Sequence, residues 1–579
     1  MRNVIKYLKN YMLETILAPL FKMLEAIFEL LVPLVVASLI DIGIHQRNER
    51  HIWKMCLLLM CFTCIGFLVA TVAQYFSAKA AMGVGTTLRS EMFRKIQSMS
   101  FSQLDKVGTA ALVNYMSSDI YIVQTGVNLF LRLFLRAPFI VIGATIMAFR
   151  VDRGITFVFV IVTLLIIGIV SVIIKKTVHS YKKAQERLDA LALLIRENHT
   201  GARVVRAFDR QADEVQEFEE SNQRYTRLQI MAGRISALMN PVTYMLMNVA
   251  IIFLLYIVGP SVETGVLTQG QVVALVNYLM QILLVIVVLA NLTIAVTRAI
   301  ASAKRLESVL DMPLKDEQTQ ETDTMQKEEK GIVFERVSFR YEGTSEAQLE
   351  EVNFSVPKGS TVGIIGGTGA GKSTLINLIP KFYDASEGQV YINGIDVQDI
   401  SSKELRKKIG IAPQHAVLCK GTLRDNLKWG KENATEEEML QALEVAQAST
   451  IIKNHVQGLD MHIEQGGKNL SGGQRQRVSI ARALVRKPEI LILDDSGSAL
   501  DYLTEAKLRE DLRKYTKDTT VIIVSQRISS IQNADSILVL DDGKLVGEGT
   551  HDMLLKENGV YREIYESQAK LHASERGVL

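Results

Sequence analysis

The chain has 579 residues, of which 65 are Lys or Arg and 62 are Asp or Glu, leaving a net charge of +3, and 48% are hydrophobic. That length exceeds what one core accommodates and predicts three or four domain-sized units. The near-balance of charge, with no block of like sign, argues against a nucleic-acid partner, and four cysteines without a CxxC pair or a His cluster argue against a zinc or disulfide framework, so all four are read as reduced.

The apolar residues crowd into the first 300 positions. The opening MRNVIKYLKN is basic, and the apolar run behind it is far longer than the core of a cleavable signal peptide. It reads as an amphipathic helix on the cytoplasmic membrane face. A spanning helix needs about 20 apolar residues, and six segments meet that, at 14–42, 53–80, 127–149, 154–175, 236–259 and 271–299. The connections between spans two and three and between spans four and five are long and helical in period, so they read as helices continuing out of the bilayer. Residues 175–235 carry twelve Lys or Arg while the connection from Gly259 to Gln271 carries none. The long connections and both ends of the domain are therefore placed in the cytoplasm. Arg47, Arg50, Arg150 and Arg153 run against this bias.

Ionisable and amide side chains within a span are costly and mark function or interhelical bonding. Glu25 and Glu29 in span one, Asn240, Tyr244 and Asn248 at every fourth position of span five, and Asn277, Gln281 and Asn291 in span six are expected to line a substrate cavity. Arg132 and Arg136, one turn apart in span three, are expected to snorkel to the interface or pair locally.

Residues 311–330 are polar, charged and without apolar period, which fits a linker. The domains are thus 1–310, 311–330 and 331–579. In the last of these, TVGIIGGTGAGKST sets Gly366, Gly367, Thr368, Gly369, Ala370, Gly371, Lys372, Ser373 and Thr374 between an apolar β-run and a helical pattern. This is a P-loop. Its glycines let backbone N–H groups close on the phosphates of ATP, Lys372 reaches the β- and γ-phosphates, and Ser373 ligates Mg²⁺. Downstream, EILILDDS is a buried strand ending in Asp494, a carboxylate for the same Mg²⁺.

Leu470-Ser471-Gly472-Gly473-Gln474 followed by RQRVSIARAL resembles the signature of the ABC (ATP-binding cassette) transporter superfamily. A glycine-rich helix start presents free N–H groups to phosphate, which in that family belongs to ATP held by the opposite cassette. The resemblance covers the whole chain. It implies an all-α six-helix exporter membrane domain fused to an α/β P-loop NTPase cassette, a multi-pass protein of the cell membrane with N-terminus and cassette in the cytoplasm. It also implies that Tyr341 stacks on adenine, that Gln414 touches Mg²⁺ and faces the membrane domain, that Glu464–Gly466 contacts the opposite subunit, and that Ser498–Asp501 is the D-loop. The cytoplasmic tips around Gln103–Thr109 and Ala207–Ala212 are expected to dock on cassettes.

Two positions depart from the family. Its hydrolysing members carry a glutamate after the Mg²⁺ aspartate, where this chain has Asp495, and a switch histidine where it has Gln526. One methylene less draws the carboxylate back by about 1.5 Å, and errors near 1 Å can cost ~10²-fold in rate. Glutamine can donate to a phosphate oxygen but cannot carry charge or shuttle a proton. The resemblance therefore implies a heterodimer. This chain supplies a slowly hydrolysing ATP site, and its intact signature completes the good site of a second, non-identical half-transporter. A homodimeric exporter using Asp495 as catalytic base, and an ATP-gated regulator that does not transport, are the alternatives. A peptide exporter with a processing protease is disfavoured. Small amphipathic molecules (drugs, lipids or peptides) are the expected substrates.

Overall fold

The computed structural model describes residues 2–313, 330–453 and 455–575. Most of the linker expected at 311–330 lies outside them. The chain forms two compact units, Met1–Gln97 with Ala110–Met312, and Ser98–Thr109 with Pro313–Leu579.

Among the described residues, six helices, almost wholly in the first unit, are long and apolar enough to cross a membrane: α1 Val4–Ile44, α2 Glu49–Ser98, α4 Thr109–Val151, α5 Arg153–Ala207, α6 Gln211–Glu263 and α7 Gln269–Leu310. At ~1.5 Å per residue, the 50 residues of α2 extend roughly 75 Å, more than twice the ~30 Å hydrocarbon core. The apolar window sets where each helix crosses. The polar remainder stays helical beyond it, with local irregularities such as the π-turn at Tyr115–Asp119 in α4 and the turn at Leu238 in α6.

Helix starts follow local chemistry. The Asp152 side chain accepts from the Ile155 N–H at 2.9 Å to open α5, and Thr268 and Gln271 form a reciprocal capping box at α7. Asp41, at the end of α1, accepts from Thr268 Oγ1 at 2.6 Å and from the Gly270 N–H at 2.8 Å. That close approach requires Gly270, since a Cβ there would lie 2.3 Å from the Ala37 carbonyl oxygen. The core between α1, α4, α5, α6 and α7 is largely aliphatic, with Phe159 and Tyr278 both fully buried in it, and the Tyr278 hydroxyl donates to the Leu30 carbonyl at 2.9 Å. All four cysteines are free thiols.

Below the spans, α4 and α7 are joined by a polar knot. The Asp119 side chain, 2% exposed, accepts from Ser302 Oγ at 2.9 Å and from two nitrogens of Arg305 at 2.9 and 2.6 Å. Asp119→Ala leaves the buried Ser302 hydroxyl and the Arg305 guanidinium without this acceptor. It is expected to cost about 1–3 kcal/mol, held down because Arg305 is half-exposed, and to lower the thermal melting midpoint of the detergent-solubilised protein by several degrees, with Asp119→Asn milder.

The second unit is an α/β cassette. A six-stranded sheet runs β12-β11-β3-β10-β9-β6, with β3 Thr361–Gly366, β6 Ile409–Ala412, β9 Ile490–Asp494, β10 Thr520–Val524, β11 Ser536–Asp541 and β12 Lys544–Gly549. All pairs are parallel except β11 with β12. The central strands are near-continuous Ile, Leu and Val, as burial on both faces demands. A four-stranded sheet, order β2-β1-β4-β5, is formed by β1 Lys330–Phe339, β2 Leu349–Pro357, β4 Glu387–Ile392 and β5 Ile395–Asp396, and β7 Gly421–Thr422 pairs with β8 His462–Ile463.

This unit also holds α3, Phe101–Val107, capped by Ser100 and Gln103. Its Phe101 ring lies 4.6 Å from that of Phe382, Asp105 accepts from the Tyr383 hydroxyl at 2.6 Å, and Lys106 pairs with Glu342 at 3.3 Å. Burial, and then the Asp105 carboxylate, push the Tyr383 phenol up. The first of the two expected docking tips thus packs on the cassette of its own chain. The second, Ala207–Ala212, belongs to the membrane unit.

Candidate nucleotide site and transmembrane polar residues

The candidate nucleotide site grows from the carboxyl ends of β3, β9 and β10. β3 is buried up to Gly366, whose Cβ, were there one, would lie 2.2 Å from the Leu540 carbonyl oxygen. The chain then turns through Gly369 (φ +87°) and Gly371 (φ +89°), left-handed conformations that β-carbons disfavour, into α8 Lys372–Leu378. A cavity of about 220 Å³ is lined by Thr368–Thr374, Gln414, Asp494, Asp495 and Gln526. Residues as far apart in sequence as Thr368 and Gln526 therefore meet at one place.

Within it, Lys372 donates to the carbonyls of Gly366 at 2.9 Å and Gly367 at 2.6 Å, and burial holds its ammonium below the usual lysine range. Ser373 Oγ lies 3.5 Å from Asp494 Oδ2. Burial, then the neighbouring Asp495 carboxylate, push the Asp494 carboxyl up. Asp495 adopts φ +45°, its N–H donates to the Val524 carbonyl at 2.9 Å, and its Oδ2 is 3.5 Å from Gln414 Nε2. Burial raises its carboxyl too, against the pull of Arg527. The exposed Gln526 is held through its carbonyl, which accepts from Gln568 Nε2 at 2.7 Å.

Tyr341 borders this cavity through Thr374, whereas Gly366, Gly367, Ser471–Gln474 and Ser498–Asp501 are not among its lining residues. The Tyr341 hydroxyl is 3.2 Å from Thr374 Oγ1 and its ring packs edge-on against Phe339 and Tyr383. Ser471, Gly472, Gly473 and Gln474 open α9, Gly472–Val485, where Gln474 Oε1 accepts from the Ser471 N–H at 2.8 Å. Ser471 and Gly472 are exposed. Asp501 caps α10, Tyr502–Tyr515.

Two residues escaped the sequence reading. Gln348 lines the cavity without any motif around it. Glu505, 3% exposed, accepts from Ser530 Oγ and, at 3.4 Å, from Arg527 Nη1, while Arg527 Nη2 donates to the Ser498 carbonyl. It thereby ties the Ser498–Asp501 loop to the segment carrying Gln526. A glutamate three residues into a helix looks like surface, and only packing reveals it as buried.

In the membrane unit the polar residues separate into different settings. Glu29 pairs with Arg136, and Gln281 Nε2 donates to the Glu29 carbonyl at 3.3 Å. With Asn277 these residues line a cavity of about 160 Å³. Arg136 thus reaches across helices instead of pairing along its own. Glu25 is tied to Lys22. Asn240, Tyr244 and Asn248 share an exposed face of α6, next to the buried Thr243, Met247 and Ala250. The Asn291 side chain lies outside the described residues.

Residues 15–287 match the family model for the ABC transporter transmembrane region, and residues 349–498 match that for the ABC transporter itself. The ABC transporter ATP-binding protein YfiB of Bacillus subtilis is 35% identical over 99% of this chain and 100% of its own length. The chain belongs to the ABC transporter family. This exporter-type half-transporter is also 31% identical, over 93% of its length and 89% of the relative's, to an ATP-dependent lipid A-core flippase of Syntrophus aciditrophicus. Its fold is that of a solved bacterial Atm1-family ABC exporter with ATP bound, with a TM-score of 0.80, 22% identity, and coverage of 97% and 98% of the two chains. It is a multi-pass membrane protein whose nucleotide-binding cassette is cytoplasmic.

Proposed function

We propose that this half-transporter is the slowly hydrolysing subunit of a heterodimeric exporter for small amphipathic substrates. The observation that carries the reading is that Asp495 and Gln526 replace a glutamate and a histidine within an otherwise assembled nucleotide cavity.

ATP would be held by the N–H groups of Gly367–Ser373, with Lys372 released from the Gly366 and Gly367 carbonyls to meet the phosphates and Tyr341 offering its ring to adenine. The oxygen-donor set of Ser373, Asp494 and Gln414 suits Mg²⁺, a hard cation, which when bound neutralises phosphate charge. Asp495 would orient the attacking water from too far back, and Gln526 would donate one hydrogen bond to the γ-phosphate while shuttling no proton. The outcome is retention of ATP at this site, with turnover at the partner's site, which Ser471–Gln474 would complete.

A second reading has one observation in its favour: burial raises the Asp495 carboxyl, making it a stronger base and suiting a homodimer in which it slowly activates water. Steady-state ATPase activity separates the two. The purified chain alone is expected to be nearly inactive. Co-expressed with a second half-transporter that carries the glutamate and the histidine, Asp495→Ala is expected to change turnover less than about threefold, whereas the partner's glutamate→Gln abolishes it. Brisk hydrolysis by the chain alone, stopped by Asp495→Ala, would establish the homodimer. The name of the lipid A-core flippase supports lipid-like molecules among the amphipathic candidates.

A further inference from the structure

Strand pairing along β10 ends at Val524, and the backbone runs on through Gln526 into a single helical turn, Ile528–Ile531. One side chain of a distant helix, α11 Gly559–Glu575, takes the place of a strand partner there. Gln568 Nε2 donates to the Gln526 carbonyl at 2.7 Å, and Gln568 Oε1 accepts from the Ile528 N–H at 3.0 Å. A carboxamide carries a donor and an acceptor side by side, so this one group fastens both ends of the stretch that bears position 526. The peptide between residues 526 and 527 is held at its other end as well, where the Arg527 N–H donates to Ser525 Oγ at 2.9 Å.

Such a clamp is as firm as the helix behind it. Tyr561, Ile564 and Gln568 follow the i, i+3, i+7 spacing of one helix face. Tyr561 is fully buried, its hydroxyl bonds with His551 Nδ1 at 2.7 Å, and its N–H donates to Asn558 Oδ1 at 2.8 Å. It shares a buried cluster with Ile528 and Ile531 of the helical turn and with Ile365 of β3, the strand that feeds the P-loop, and Ile564 packs against that cluster. The apolar stripe of α11 thus gives way to an amide at the point where the helix meets bare backbone.

We infer that Gln568 is a positioning residue of the nucleotide site, fixing the backbone at Gln526 so that the Gln526 side chain meets the γ-phosphate. Gln526 lines the nucleotide cavity but is exposed, so its backbone, more than any packing, sets where it points. The inference deepens the proposed nucleotide site and rests on the reading that Gln526 donates to the γ-phosphate. It does not depend on the heterodimer. Since the group served is the γ-phosphate, the clamp favours a nucleoside triphosphate over a diphosphate, whose phosphates the P-loop holds without help from position 526.

The test measures the affinities of AMP-PNP, a triphosphate that is not hydrolysed, and of ADP, each with Mg²⁺, for the full chain in nanodiscs. Gln526→Ala and Gln568→Met are each expected to weaken AMP-PNP about tenfold, the share of one hydrogen bond to a charged group. ADP is expected to stay within about twofold, which a general loosening of the cassette would not allow. Gln568→Glu keeps an acceptor for the Ile528 N–H but turns an oxygen that cannot donate toward the 526 carbonyl. It is expected to weaken AMP-PNP as Gln568→Met does, with an unchanged melting midpoint. Because Gln568 acts through Gln526, adding Gln568→Met to Gln526→Ala is expected to weaken AMP-PNP by less than about a further twofold. Wild-type AMP-PNP affinity in both Gln568 variants, equal losses of AMP-PNP and ADP, or losses that multiply in the double variant would each overturn the inference while leaving Gln526 at the γ-phosphate. Unchanged AMP-PNP affinity in Gln526→Ala would overturn the γ-phosphate reading itself, and the inference with it.

Discussion

Restoring both departures together, Asp495→Glu with Gln526→His, is expected to raise hydrolysis at this chain's own site by about 10²–10⁴-fold, the range that a correctly placed general base contributes. The surroundings are already in place: the P-loop, Asp494 and Gln414 line the same cavity as the two replaced positions. Position 495 hangs from β10 by its N–H at a left-handed φ, so the added methylene of glutamate extends into the cavity from a fixed backbone. Gln526 is exposed and anchored by its carbonyl, leaving room for an imidazole. Either substitution alone is expected to recover less, because the two groups act on the same water and phosphate. The measurement is single-turnover hydrolysis by the proposed heterodimer with the second subunit's glutamate changed to Gln, so that only this site reports. No gain in the double variant would mean that something other than these side chains limits the site.

The converse experiment targets the signature. Gly472→Asp is expected to lower ATPase activity of the complex by more than ~10²-fold while nucleotide still binds at Lys372. No heavy atom lies within 4 Å of where a Cβ would sit at Gly472, so the fold tolerates the side chain. The added carboxylate, however, stands at the positive end of α9, where the proposed partner-held phosphate approaches, and replaces attraction by repulsion. Retained photolabelling of this chain's P-loop by an azido-ATP analogue, alongside lost turnover, is the expected pair of readouts. Unchanged turnover would show that Ser471–Gln474 completes no hydrolysing site.

Much of the architecture is legible in one dimension because it rests on local chemistry. Uninterrupted apolar windows declare the six membrane helices, since a spanning backbone must bond within itself. The contiguous Gly366–Thr374 and Leu470–Gln474 motifs carry their own turn and capping chemistry, and the run Ile490–Leu493 carries its own burial. Asp495 and Gln526 stand out for the same reason, each being set against a neighbouring motif that fixes what its place requires.

Other features depend on which distant segments meet, and no local pattern encodes that. The transmembrane polar residues are the clearest case: Lys22 stands one turn before Glu25, a pairing the sequence itself offers, whereas nothing near Glu29 announces that its partner is Arg136 of α4. The difference arises because the two point at different neighbours. Asp119, Ser302 and Arg305 likewise read as unrelated polar residues until packing of α4 on α7 removes the carboxylate from water and makes its two partners obligatory. Buried Glu505 and cavity-lining Gln348 follow the same rule. Sequence alone determined the spans, the ATP-binding motifs and the two departures from them, through backbone propensity and contiguous chemistry. Tertiary structure decided which charges are paired, which polar atoms find a partner and where a ligand finds room, because desolvation is a property of a place in the fold and not of a residue.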